Sequence, residues 1–205
     1  MMKREGLLIV VSGPSGAGKG TICKELLSRN EDIHLSVSAT TRQPRQGEVD
    51  GINYHFISKE KFENMIENDE FLEYARVYDN FYGTPKEAVM DTLSKGQNVL
   101  LEIDIQGAMS VKDRYPNGVF VFILPPSLDE LKNRIVKRGT ETEADINKRF
   151  GSAIFEIEKI ENYHYFIMNK DVDRSTFELE NIINAEKNKV CRYKNNIIKK
   201  FKEEL

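Results

Sequence analysis

The densest chemistry in the chain lies in one glycine-rich run, Gly13-Pro14-Ser15-Gly16-Ala17-Gly18-Lys19-Gly20-Thr21. Glycines at this density let successive backbone N–H groups converge on one anion without a Cβ in the way. Lys19 follows at G-x-x-x-x-G-K spacing, the pattern of a phosphate-binding loop, where its ammonium reaches the outer phosphates. The strict pattern puts Ser or Thr after the lysine to hold Mg2+; here Gly20 stands there and Thr21 comes next. Arg42 and Arg45 lie three apart beside Ser and Thr hydroxyls. Guanidinium groups bind phosphate through paired N–H groups, so this segment reads as an anion clamp, with a solvated basic loop as the alternative. Arg134 and Arg138 are four apart and share one helix face, with Lys148 and Arg149 on a following helix. A basic helical pair of this kind suits a lid that closes on phosphates. Glu102 and Asp104 end an apolar run. Carboxylates there can hold hydrated Mg2+ or accept hydrogen bonds from a base, while a strand-end Asp also serves as a turn cap.

The elements that must position these residues follow from the apolar pattern. Residues 7–12 are aliphatic up to Ser12 and read as a strand buried on both faces, and a helix begins near Gly18. Strand, glycine loop and helix is the context a phosphate loop needs. Residues 35–40 alternate and are β-branched, which predicts one strand running into the Pro44 and Gly47 loop. A short strand over 51–57, a helix over 59–68 capped by Ser58, and a hairpin turning at Asp79-Asn80 make a small α/β insert. Thr84-Pro85-Lys86-Glu87 predicts a helix capped by Thr84. Buried strands follow at 98–104, 119–124 and 165–169. Ser127 caps a helix running to Arg138, and Ser175 caps one long final helix. Ligands in open parallel sheets sit beyond the carboxyl ends of the strands, where Gly13, Glu102 and Asp104 all fall.

Composition narrows the class. The 205 residues suffice for one α/β domain, and a net charge of −3 argues against a nucleic-acid partner. Cys23 and Cys191 match no metal or redox spacing, which favours a reduced, cytoplasmic setting. Lys3 and Arg4 precede an apolar run too short for a signal peptide, and no stretch reaches transmembrane length. The oligomeric state has no signature in the sequence.

Taken together, residues 13–21, 36–48, Gly51 with Tyr54, 71–75, 82–84, 101–107 and 138–143 resemble the guanylate kinase family, over nearly the whole chain. The resemblance implies an α/β nucleoside monophosphate kinase fold with a doubly wound parallel core at 1–36, 91–126 and 161–205. A GMP-binding insert would span 37–90 and a helical lid 127–160. It implies transfer of the ATP γ-phosphate to GMP or dGMP with Mg2+. Residues 13–21 would cradle ATP, with Asn169 near its adenine and Thr21 and Asp104 near the metal. Arg42, Arg45, Tyr54 and Tyr82 would hold the GMP phosphate. Ser38, Glu73, Thr84 and Glu102 or Asp104 would read the base or order the site. Lys19, Arg42, Arg134, Arg138 and Arg149 would surround the transferred group. Neither the insert nor the lid shows an obvious acidic partner for its arginines.

Glu73 also has an independent argument. Guanine presents N1–H and an amino group on one edge, both donors, and a carboxylate only accepts. Adenine presents an acceptor at N1, which a carboxylate repels. Two other readings stay open: a non-catalytic interaction module of the same fold, and a kinase for a different nucleotide.

Overall fold

A computed structural model describes residues 6–77, 79–137, 150–151 and 153–204. Arg138, Arg149 and the connection between them lie outside the described residues.

Five strands form a parallel sheet in the order β2-β7-β1-β8-β9: β1 (Leu8–Ser12), β2 (Ile33–Leu35), β7 (Asn98–Glu102), β8 (Val119–Leu124) and β9 (Tyr165–Met168). β1 is central, pairing Leu8 with Val99 on one side and Ile9 with Val119 on the other. Its alternate residues feed two cores, because successive side chains point to opposite faces. Ile9 and Val11 pack against Ile22 and Leu26 of α1 (Lys19–Arg29) and Leu179 and Ile183 of α6 (Val172–Glu186). Leu8 and Val10 pack against Val89 and Leu93 of α3 (Lys86–Ser94) and Ala108 and Val111 of α4 (Ile105–Arg114). Helices on both faces explain why these strands are continuous apolar runs.

The insert has its own four-stranded sheet, β4-β3-β6-β5: β3 (Ala39–Thr40), β4 (His55–Phe56), β5 (Phe71–Val77) and β6 (Asn80–Pro85). α2 (Lys59–Glu67) covers it, with Phe62 stacked on Phe71 at 4.4 Å and on Phe81 at 5.4 Å between ring centroids. β5 straddles the two bodies. Phe71 belongs to the insert core, while Leu72 belongs to the core with Leu8 and Val10.

Four sequence expectations change. The strand expected over 35–40 is two strands in two sheets: Ser36 donates its N–H to the Leu100 carbonyl of the core, and the Ser38 carbonyl accepts from His55 of the insert. Alternation marks extended backbone and is silent about which sheet bonds it. The helix expected to start at Thr84 is capped at Pro85 instead. Thr84 remains in β6, fully buried, with its hydroxyl turned to Glu73. Asn80 is not a turn residue; it opens β6, paired with Val77. The final helix starts at an Asp171 cap rather than Ser175, and breaks into α6 and α7 (Val190–Glu203). The helix expected to run to Arg138 is α5 (Leu128–Lys137) as far as it is described; Ser127 caps it by accepting from the Glu130 N–H.

Candidate active site

One cavity of about 470 Å³ opens beyond the carboxyl ends of β1 and β7. Gly13, Ser15, Gly16, Gly18, Lys19 and Gly20 form one wall, and Ser38, Tyr54, Glu73 and Tyr82 of the insert side form another. Glu102 and Asp104 lie between them. The phosphate loop and the predicted base-reading carboxylate therefore face one volume.

The loop is tightly braced. Gly18 opens α1 at φ +94°, where a Cβ would sit 2.2 Å from Asn169 Nδ2. Asn169, 3 % exposed, donates to the Ala17 carbonyl at 2.8 Å and accepts from Ser175 Oγ. Arg134 donates to the Ala17 and Asn169 carbonyls. The Asn169 side chain thus supports the turn of the loop. Lys19 donates to the Gly13 carbonyl at 2.6 Å and the Pro14 carbonyl at 3.2 Å. Burial lowers its pKa, opposed by the nearby carboxylates of Glu102, Glu156 and Asp104. A half-buried cation of this kind is a strong anion attractor.

Glu156 is a cavity residue that motif reading missed, since only the fold returns it to the loop. Burial raises its pKa, while Lys19 and the Ser15 N–H favour its charged form.

At the other end Glu73 is 5 % exposed, so its side chain faces the interior rather than solvent. Thr84 Oγ1 donates to Glu73 Oε1 at 2.7 Å. Burial pushes the Glu73 pKa up to about 7, with Asp104 adding repulsion and Thr84 opposing the rise. Asp104 Oδ1 caps α4, accepting from the Gly107 N–H at 2.7 Å.

Arg42 and Arg134 have acidic partners, contrary to expectation. Arg42 is held by both oxygens of Glu48, at 3.0 and 2.9 Å, and donates to Tyr82 Oη at 3.2 Å. Its guanidinium lies over the Tyr54 ring at 5.5 Å. The Arg45 backbone N–H joins the same Glu48 carboxylate at 2.7 Å. Arg134 pairs with Glu130 at 2.8 Å, one helical turn away. The loops are short, and each partner sits only a few residues from its arginine. Arg42, Arg45, Thr21 and Arg134 stand outside the cavity lining, with Thr21 exposed on the first turn of α1.

The donor set suits Mg2+, which takes oxygen ligands, keeps several waters, and uses one or two carboxylates plus substrate phosphates. Glu102 Oε1 stands 3.1 Å from where a Gly20 Cβ would be, against the loop, and Asp104 lines the same cavity. Among the described residues no group of three or more His, Cys, Asp or Glu makes a cage for a metal ion. A hydrated ion shared with substrate phosphates fits this set.

Comparison with known proteins agrees with this geometry. The guanylate kinase family model matches residues 5–186. The guanylate kinase of Clostridioides difficile (strain 630) is 70 % identical over 205 residues, covering all of both chains. That of Caldanaerobacter subterraneus subsp. tengcongensis is 59 % identical over 97 % of this chain and 96 % of its own. The crystal structure of guanylate kinase from Anaplasma phagocytophilum superposes with a TM-score of 0.78 at 37 % identity, covering 93 % of this chain and 91 % of that one. With a matched family model across the phosphate loop, the insert and the core, the chain belongs to the guanylate kinase family.

Proposed function

We propose that the cavity seats both nucleotides of the guanylate kinase reaction, with phosphates meeting at Lys19 and guanine at Glu73. The chain phosphorylates GMP. ATP is the donor and dGMP a second acceptor. A GMP phosphate oxygen attacks the γ-phosphorus, the bond to the β–γ bridging oxygen breaks, and ADP and GDP leave. That oxygen is already anionic, so no general base is needed, and catalysis consists of positioning and charge stabilisation.

Residues 13–21 hold the ATP phosphates through backbone N–H groups and the N-terminus of α1, and Lys19 meets the charge that develops on transfer. Asn169 acts on the ATP side by bracing the loop. Arg42, Arg45, Tyr54 and Tyr82 hold the GMP phosphate, which takes the place of Glu48 as the partner of Arg42. Ser38, Glu73 and Thr84 read guanine. Arg134, with Arg138 and Arg149, brings positive charge from a lid at 127–160 onto the core, opposite an insert at 37–90. Mg2+ would be held by Asp104 and Glu102, with Thr21 on the neighbouring helix turn. When bound it neutralises charge on the ATP phosphates. A cytoplasmic setting fits two free cysteines, and no helix among the described residues is long and apolar enough to cross a membrane.

The observation that carries this reading is the buried Glu73 carboxyl in the same cavity as the phosphate loop. A panel of GMP, dGMP, AMP, CMP and UMP with ATP as donor tests it. Turnover is expected with the two guanine nucleotides. AMP turnover matching that of GMP would overturn it, as would no turnover with any acceptor.

A further inference from the structure

The 101–107 motif ends in a glycine that the reaction does not itself use. Gly107 is the third residue of α4, buried, and its backbone lies in a conformation any residue adopts. Turn geometry therefore does not require a glycine here. The requirement comes from what lies against it. A Cβ at position 107 would stand 2.7 Å from Glu73 Oε2, 3.2 Å from Glu73 Cδ and 3.4 Å from Asp104 Oδ1. The three nearest atoms all belong to carboxylate groups, and two of them are Glu73's.

We propose that Gly107 is a specificity-determining positioning residue: its missing side chain lets α4 form the back wall against which the Glu73 carboxylate is set for guanine. This rests on Glu73 reading the base. The carboxylate is fixed at Oε1 by the Thr84 hydroxyl at 2.7 Å, and Oε2 occupies the space that a side chain at Gly107 would fill. A methyl group at 107 needs ordinary contact near 3.4 Å where only 2.7 Å exists, so the carboxylate moves by about 0.7 Å. Binding constellations tolerate roughly 0.5 Å before hydrogen bonds degrade. The displaced atoms are the far end of a flexible side chain, so the fold itself gives way little. Alanine also favours a helix over glycine. The structure thus separates two effects that usually travel together: Gly107→Ala leaves stability alone and disturbs recognition.

The experiment compares Gly107→Ala, Glu73→Ala and the double variant by steady-state KM for GMP and ATP and by Tm. Gly107→Ala is expected to raise the GMP KM at least about tenfold, leave the ATP KM within about twofold, and keep or raise Tm. With Glu73 already removed, adding Gly107→Ala should change the GMP KM less than about twofold, because its target is gone. If Glu73→Ala raises the GMP KM and Gly107→Ala does not, the positioning role is wrong and the base-reading role stands. If neither variant changes it, the base-reading role fails and takes this inference with it. An equal Gly107→Ala penalty with and without Glu73 also overturns it. Should Gly107→Ala unfold the protein, the double variant decides. A double variant with the Tm of Glu73→Ala traces the defect to the carboxylate, and a double variant that also unfolds refutes the proposal.

Discussion

At the scale of single residues, two charges at opposite ends of the cavity make separable demands. Lys19 is half-buried beside three carboxylates, and desolvation lowers its pKa while they oppose the fall. Lys19→Ala removes the cation proposed to face the transferred phosphate. It should fold normally and lose roughly a hundredfold to a thousandfold in kcat, measured by coupled turnover. Near-normal turnover in a folded variant would sink the role. Glu73 behaves oppositely, since burial pushes its pKa up to about 7. A raised carboxyl stabilises the fold most below the ordinary carboxylate range and loses that contribution as pH rises through about 7. Guanine donors need the anion, so GMP binding should release a proton, and the GMP KM should fall as pH rises toward 7 and then level off. The GMP phosphate titrates near pH ~6 as well, so the comparison is with Glu73→Gln, which keeps the phosphate effect and removes the carboxyl one. That variant should raise the GMP KM beyond about tenfold, because its amide turns a donor toward a guanine donor, and leave the ATP KM nearly unchanged. Identical pH profiles in the two proteins would show that Glu73 does not titrate on binding.

At the scale of elements, the legible parts were those written in local pattern. The glycine loop, the apolar strands and the Ser58 and Ser127 caps are encoded within a few residues, and the structure keeps them. What pattern could not carry was which sheet a strand joins, as at Ser36 and Ser38, or where a helix bends without Gly or Pro. The α6–α7 corner is the clearest case. Lys187, Asn188 and Lys189 are ordinary helix residues, and the break is made by Glu186, 2 % exposed. Glu186 accepts from Tyr165 Oη at 2.6 Å, Lys189 Nζ at 3.0 Å and Arg192 at 2.7 Å. Burial pushes its pKa up, but these three donors outweigh burial and hold it at about 2. The same limit applies at the site: Glu156 reaches the loop from far along the chain, and Glu48 meets Arg42 only through the fold of its loop. A depressed carboxyl contributes stability that is full above its ordinary range and is lost as pH falls through about 2. Glu186→Gln should therefore lower Tm at neutral pH and flatten the Tm–pH curve between about 2 and 4.5, an effect of up to ~3 kcal/mol. Thermal melts across that range check it, and parallel curves for the two proteins would exclude the coupling.

At the scale of the whole molecule, the insert is anchored to the core at one end, through β5. β5 meets the core through Leu72 and Glu73, and its pairing with β6 shifts register between Phe71 and Glu73. The chain crosses between the two sheets at Ser36–Ser38 and again after Pro85. A bulge beside a packed strand is a natural place for a sheet to bend. The Glu73 end of the cavity is thus tied to α4, while Arg42 just after β3, Tyr54 just before β4 and Tyr82 in β6 lie further along the insert sheet from β5. The charges argue for the same motion. Arg42 is neutralised by Glu48, Arg134 by Glu130, and Glu156 sits near Lys19. Two nucleotides bring enough negative charge to replace these internal partners and to draw both sides onto the γ-phosphate, excluding water from it. Binding of a bisubstrate analogue should therefore shrink the molecule, as a swing of the outer insert about β5 rather than a collapse of the guanine end. For a compact chain of this length the radius of gyration is about 17 Å, and closure of this kind should lower it by roughly 1 Å in X-ray scattering. GMP alone should account for part of that change. A radius unchanged at saturation with the analogue would mean that the cavity binds its substrates without closing, and that the carboxylates beside Arg42 and Arg134 keep their partners through the reaction.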